Sequence, residues 1–284
     1  MSGLIVALVD GHPAQSLPLA DRSLHYGDGV FETLEYCDGQ VSFWSRHLQR
    51  LQDGCERIGL ARPDEAQLRQ ETTQLVQGHR AGVLKIIISA GEGGRGYQRS
   101  HNIGRRILML FPALNDQQQQ QHGIRLHTCN TLLGHNTALA GIKHLNRLEQ
   151  IMAKRELPSD CAEGLMLDED EWVIEGIMSN VFCIQGRRLL TPRLTHCGVN
   201  GIIRNAILEV APKVAMQVQE ISLRRADLLA SEEFFVCNSL IHIWSVMHWE
   251  KRHDWQRKVT DELRMALNTM IKQHAITLQK GSTC

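Results

Sequence analysis

The sequence predicts an α+β fold, and three observations carry that prediction. Short apolar runs come in pairs joined by tight turns, as where VFETLEY (30–36) meets Asp38-Gly39 and VSFW (41–44) returns. Helical patterns separate these runs of strands and do not alternate with them one for one, which favours antiparallel sheets with helices over a doubly wound parallel sheet. A polar stretch from Asn115 to Gln121, with five consecutive glutamines, divides the chain near its middle. It is expected as an inter-domain linker over 115–123, between a smaller domain at 1–114 and a larger one at 124–284.

Taken in order, LIVALV (4–9) and the Asp10-Gly11 turn read as a first strand and hairpin. After VFETLEY and VSFW, Ser45 is placed to cap a helix whose apolar stripe is Leu48, Leu51, Cys55 and Ile58. A second helix fits 64–77, and VLKIIIS and RRILMLFP read as buried strands around a glycine-rich loop. The second half opens with a strand at 124–129. In GIKHLNRLEQ (141–150) a loop turns into a helix carrying Leu145, Leu148, Ile151 and Met152, stopped by Pro158. A meander follows, with turns at 168–171 and 186–187. CGVNG then leads into a helix from Ile202, EFFVCNS (233–239) is a strand, and the end from about Asp261 is a helix.

Bulk properties narrow the function classes. The chain has 284 residues and is 43% hydrophobic, with 31 acidic and 31 basic side chains. That balance leaves no basic excess of the kind nucleic acid or an anionic membrane surface calls for, so neither partner is expected. The eight cysteines form no CxxC pair and read as free thiols of a reducing cytosol. LIVALV lacks a basic flank and is too short for a signal peptide, and no apolar run approaches a membrane span. The fourteen histidines show no metal-ligand spacing with each other or with cysteine, so no metal is expected. No G-x-S-x-G string suggests a serine hydrolase.

Several stretches could carry chemistry. At a helix start, the positive end of the dipole would push the Lys143 ammonium toward the free amine, the form that attacks a carbonyl. Glu175, at the end of the apolar strand WVI, is placed to be buried and to need a cation. Gly201 precedes a helix whose first amides, on Ile202 and Ile203, suit an anion such as phosphate. GEGGRG (91–96) matches G-x-G-x-x-G but leads back into a strand, so it is no dinucleotide fingerprint. Arg95 on that loop could clamp a carboxylate, with Tyr97 offering a hydroxyl. Taken singly, each has an ordinary reading: a solvated lysine, a turn glutamate, a plain helix start, a surface hairpin.

Together, GIKHLNRLEQ and EGIMSNVF (175–182) resemble the fold-type IV pyridoxal-phosphate enzymes, which include branched-chain and D-amino-acid aminotransferases. Every fixed position of E-G-x-x-S-N-x-F is filled here, and the resemblance runs from about Asp21 to Val246. It implies two α/β domains with pyridoxal 5'-phosphate between them, in a cytoplasmic homodimer acting on a small molecule. Lys143 would carry the cofactor and then act as general base, and Glu175 would keep its ring nitrogen protonated. Arg50, Ser239 and the amides of Ile202 and Ile203 would hold its phosphate. Arg95, Tyr97 and Asn238 would meet the substrate. HYGDGVFET (25–33) ends on Thr33, where branched-chain aminotransferases commonly have glycine. That threonine and KHLNRLEQ are most similar to the family's lyase branch, which splits an amino-substituted chorismate into 4-aminobenzoate and pyruvate for folate synthesis. An aminotransferase and a non-catalytic cofactor-binding protein are the alternatives. MHWEKRHDWQRK (247–258) has no counterpart in the resemblance.

Overall fold

A computed structural model describes residues 3–278. The chain forms two compact units. The first comprises the residues up to Leu114 together with Ile142–Asn146 and the segment from Ile271. The second comprises Asn115–Gly141 and Arg147–Met270. A single cut near 115 therefore does not describe the partition, because two later segments return to the first unit. The first unit contributes β1 (Val6–Val9), β2 (His12–Pro13), α1 (Arg22–Tyr26), β3 (Gly29–Cys37), β4 (Gln40–Ser42), α2 (Trp44–Arg57), α3 (Glu65–Leu75), β5 (Ala81–Ser89) and β6 (Arg105–Phe111). The second contributes α4 (Gln117–His122), β7 (Ile124–Thr128), α5 (Leu148–Arg155), β8 (Glu163–Leu167), β9 (Val173–Gly176), β10 (Asn180–Gln185), β11 (Arg188–Pro192), α6 (Ile202–Val210), β12 (Gln217–Ile221), α7 (Arg225–Leu229), β13 (Glu233–Asn238) and β14 (His242–His248). Finally α8 (Lys258–Gln273) leads to β15 (Ala275–Thr277).

In the first unit seven antiparallel strands form one sheet, in the order β15-β4-β3-β5-β6-β1-β2. Alternation along β3 buries Val30, Glu32, Leu34 and Tyr36, while Phe31, Thr33 and Glu35 stay half-buried. Leu34 and Ile86 meet Leu48, Leu51 and Leu68 of α2 and α3 on the buried face. Helix α2 is not capped by Ser45: its N-cap is Phe43 in the left-handed region at φ 54°, with no side-chain bond. The expected C-terminal helix stops at Gln273, and β15 then pairs antiparallel with β4. The last six residues lie outside the described chain.

The second unit holds an eight-stranded mixed sheet, β12-β11-β10-β13-β14-β7-β8-β9, with parallel pairs at β11–β12, β14–β7 and β7–β8. The glutamine tract is helical here. Gln120 on α4 donates to the Ile241 carbonyl at 2.8 Å and to Asp116 at 3.0 Å, which ties the tract to this unit. The segment 247–258 supplies core: Trp249 and Trp255 are buried, with ring centroids 5.5 and 5.9 Å from Phe234. Among the described residues no helix is long and apolar enough to cross a membrane, and all seven described cysteines are free thiols.

Candidate active site

The lysine picked from sequence sits in a different setting from the one expected. Helix α5 begins at Leu148, so Lys143 lies outside the first turn, where a helix dipole acts. Residues 143–145 run instead as a short extended piece beside the start of β3. Phe31 N–H donates to the Lys143 carbonyl at 2.9 Å and Leu145 N–H to the Gly29 carbonyl at 3.0 Å. That pairing sets the Lys143 Nζ 4.5 Å from the Phe31 ring centroid, a cation–π contact. Thr33 follows two residues on, hence on the same face of β3, and pairs in register with Lys85 of β5. Lys85 Nζ lies 5.0 Å from the same ring, and burial lowers its pKa. The face therefore carries two ammonium groups and a hydroxyl.

On the opposite, buried face of β3 is a feature the sequence reading missed. Arg50 of α2 grips Glu32 bidentately, with Nε and Nη2 each 2.6 Å from a carboxylate oxygen, and His47 lies 2.6 Å from the same group. Burial alone would raise the Glu32 carboxyl, but Arg50 and His47 outweigh it and hold it at about 2. Burial lowers the His47 pKa, partly offset by Glu32, with Arg50 and Lys143 pushing the same way as burial. The three residues lie one helical turn apart on α2 and across from it on β3, so an alternating strand carrying a glutamate at an inward position was the available signal. Asp53 pairs with Gln49 and Arg62.

Arg95 and Tyr97 project from the loop between β5 and β6. Both are exposed, Tyr97 at 88%, and neither side chain makes a hydrogen bond among the described residues. The backbone beneath them is anchored: Arg22 donates to the carbonyls of Gly96 and Tyr97, and Gly96 N–H donates to the Tyr26 hydroxyl. Arg22 and Arg99 also clasp Asp28, the aspartate of HYGDGVFET.

In the second unit, Glu175 on β9 is 4% exposed and accepts from Val199 N–H at 2.8 Å. Its cationic neighbour is Arg147, another residue the sequence reading did not single out: burial lowers the Arg147 pKa and Glu175 opposes the shift. Helix α6 starts at Ile202 with Gly201 as N-cap and no side-chain capping bond, so its first amides, those of Ile202 and Ile203, have no intrahelical partners. A Cβ at Gly201 would fall 2.0 Å from Asn180 Oδ1, so any other residue requires the Asn180 side chain to shift. Asn180 in turn donates to the Val199 carbonyl at 2.8 Å and pairs in register with Cys237 at the end of β13. The following turn holds Asn238 and Ser239. Asn238 donates to the Met178 carbonyl and accepts from the amides of Leu240 and Ile241, so its amide shapes two loops. Glu175, the α6 amides and the Asn238–Ser239 turn thus gather at one end of this sheet. Beneath them Glu163, also unforeseen, is buried and accepts from Ser179 and from the Met178 and Gly164 amides, with burial raising its pKa.

An aminodeoxychorismate lyase of Vibrio harveyi is 35% identical over 239 residues, 83% of this chain and 88% of that one. The crystal structure of 4-amino-4-deoxychorismate lyase from Pseudomonas aeruginosa superposes with a TM-score of 0.84 at 41% identity, covering 91% of this chain and 98% of that one. A branched-chain amino acid aminotransferase of Escherichia coli shares the fold, at TM-score 0.84 and 20% identity over 98% of this chain and all of its own. The family model described as amino-transferase class IV matches residues 29–249, and the chain belongs to that family.

Proposed function

We propose that this protein is a 4-amino-4-deoxychorismate lyase, releasing 4-aminobenzoate and pyruvate with pyridoxal 5'-phosphate as cofactor, a step of folate biosynthesis. The observation that carries this reading is the placement of Lys143 and Thr33 on one face of β3 in a chain 41% identical to a lyase of known structure. A base and a hydroxyl on one surface suit an elimination, which needs one proton removed and another delivered.

The residues present fit the cofactor. The uncapped start of α6, kept open by Gly201, has the donor chemistry for a phosphate, and the buried Glu175 carboxylate suits a protonated ring nitrogen. In this reading Lys143 carries the cofactor, while the amides of Ile202 and Ile203, Arg50 and Ser239 hold its phosphate and Glu175 its ring. When bound, pyridoxal phosphate supplies an electron sink for the carbon bearing the substrate amine. Lys143 removes the proton from that carbon. The carbon–oxygen bond to the enolpyruvyl group then breaks, Thr33 delivers a proton toward the departing oxygen, and the ring that remains becomes aromatic. Arg95 and Tyr97, exposed and with no side-chain hydrogen bond among the described residues, receive substrate carboxylates. Asn238 acts on the substrate through the loops it braces.

Purified protein with cofactor is expected to release pyruvate and 4-aminobenzoate in equal amounts. Thr33→Ala should slow that release at least tenfold, while borohydride reduction still labels Lys143. Brisk transamination of D-alanine or leucine, with aminodeoxychorismate left untouched, would replace this reading with an aminotransferase. The free, mostly buried thiols support a cytoplasmic setting. A homodimer is supported by the apolar stripe Leu148, Ile151 and Met152 of α5, at least half exposed on this chain.

A further inference from the structure

We infer that three connections of the second unit form a binding site for one zinc-like divalent transition-metal ion, with His135, Asp168 and Cys197 as ligands. His135 lies on the loop after β7, Asp168 at the turn between β8 and β9, and Cys197 on the loop between β11 and α6. Their donor atoms all lie within 4.8 Å of one another. Backbone bonds hold the loops together: Leu133 N–H to the Leu167 carbonyl at 2.8 Å, and Asn136 N–H to the His196 carbonyl at 2.7 Å.

Two of the ligands, Asp168 and His135, are already oriented. Asp168 Oδ1 is occupied by the amides of Asp170 and Trp172, at 3.1 and 2.8 Å, so Oδ2 alone faces His135 Nε2, at 2.9 Å. The other imidazole nitrogen, Nδ1, lies 3.3 Å from Glu169 Oε1. A carboxylate behind a histidine is the arrangement that fixes the tautomer and strengthens the ligand in metal sites. Asp168 and Cys197 are buried and His135 is partly exposed, which leaves an approach from solvent. The His196 ring, 5.0 Å from that of His135, stands beside the cluster and water can complete the coordination. One nitrogen, one oxygen and one sulfur suit zinc better than magnesium or calcium, which take oxygen. Bonds of about 2.0–2.3 Å place neighbouring ligands roughly 3.3–3.6 Å apart, so small side-chain rotations close the site.

Binding displaces the Cys197 thiol proton, and the His135 proton shared between Nε2 and Asp168 leaves or moves to Nδ1, where Glu169 accepts it. Cys197 lies two residues before Val199, whose amide donates to Glu175. The metal would clamp that loop without touching substrate.

The test uses full-length, chelator-stripped protein carrying Cys37→Ser and Cys161→Ser, which removes the more accessible thiols among the described residues. Cobalt(II) should bind at one per chain, give a near-ultraviolet sulfur-to-cobalt charge-transfer band with four-coordinate visible bands, and be displaced by zinc. Cys197→Ser should abolish the charge-transfer band, and His135→Ala should weaken binding about tenfold or more. Absence of the band, or its survival in Cys197→Ser, would overturn the site. If Cys197→Ser fails to fold, X-ray absorption of the zinc-loaded Cys37→Ser/Cys161→Ser protein decides: one sulfur in the first coordination shell supports the site, and a shell without sulfur refutes it.

Discussion

Glu32 carries the Arg50 guanidinium and the His47 imidazole on one buried carboxylate, and that makes it the residue through which α2 speaks to β3. With its side chain 1% exposed, losing its charge would remove a buried bidentate partner of Arg50 and the hydrogen-bond partner of His47. Its folded pKa, about 2, lies below the ordinary value of 4.5. A depressed carboxylate contributes stability that is present above its unfolded value and is lost as pH falls through the folded one. Acid unfolding should therefore show a loss of stability between about pH 4.5 and 2 that is absent in Glu32→Gln. The same variant frees Arg50 from its bidentate hold, so pyridoxal phosphate should bind at least tenfold more weakly with pyridoxal little affected. Equal weakening of both would mean that Arg50 does not serve the phosphate. If Arg50 serves the phosphate, Glu32 is a positioning residue, and the phosphate-specific loss is a readout that a purely structural role would not move.

At the scale of elements, β3 and the start of α6 do most to position chemistry. Strict alternation lets one strand present Phe31 and Thr33 on one face and Glu32 on the other, so a one-residue slip would exchange them. The α6 terminus depends on close approach. Placing a methyl 2.0 Å from Asn180 Oδ1 forces that side chain off its bond to the Val199 carbonyl, so Gly201→Ala is expected to destabilise the fold by about 1–3 kcal/mol. Calorimetry should report a lower Tm, and cofactor retention should fall with it. An unchanged Tm with full retention would show that the loop has room the geometry denies. Helix α5 illustrates the reverse case: its apolar residues Leu148, Ile151 and Met152 face outward and leave Gln150 and Ala153 buried.

For the whole molecule, that outward stripe bears on assembly. Leu148→Glu combined with Ile151→Glu removes apolar surface without touching the buried side of α5. If the stripe closes a homodimer, sedimentation velocity should show a dimer for the wild type and a monomer for the double variant, each with native circular dichroism. A dimer that survives both charges would locate the interface elsewhere. Within the first unit, β15 extends the sheet from the far end of the chain, and its pairing with β4 covers an edge that would otherwise offer unpaired amides.

Local pattern was enough to reveal much of this protein. The strands β3, β5, β6 and β13, the helix from Ile202 and the antiparallel character of the first sheet follow from period-2 and period-3.6 apolar spacing, which is information held within a few residues. The E-G-x-x-S-N-x-F string is likewise local, and it identified the family. Other features were decided by tertiary structure alone. Lys143 owes its setting to β3, a strand more than a hundred residues earlier, and periodicity in its own segment pointed to a helix that starts later. The Glu32–His47–Arg50 cluster, the Arg147–Glu175 pairing and the return of β15 to the first sheet join residues that no spacing rule connects. The same holds for His135, Asp168 and Cys197, whose sequence separation excluded any metal motif. Side-chain chemistry and period are written residue by residue, whereas partners across a sheet are chosen only when burial brings distant strands together.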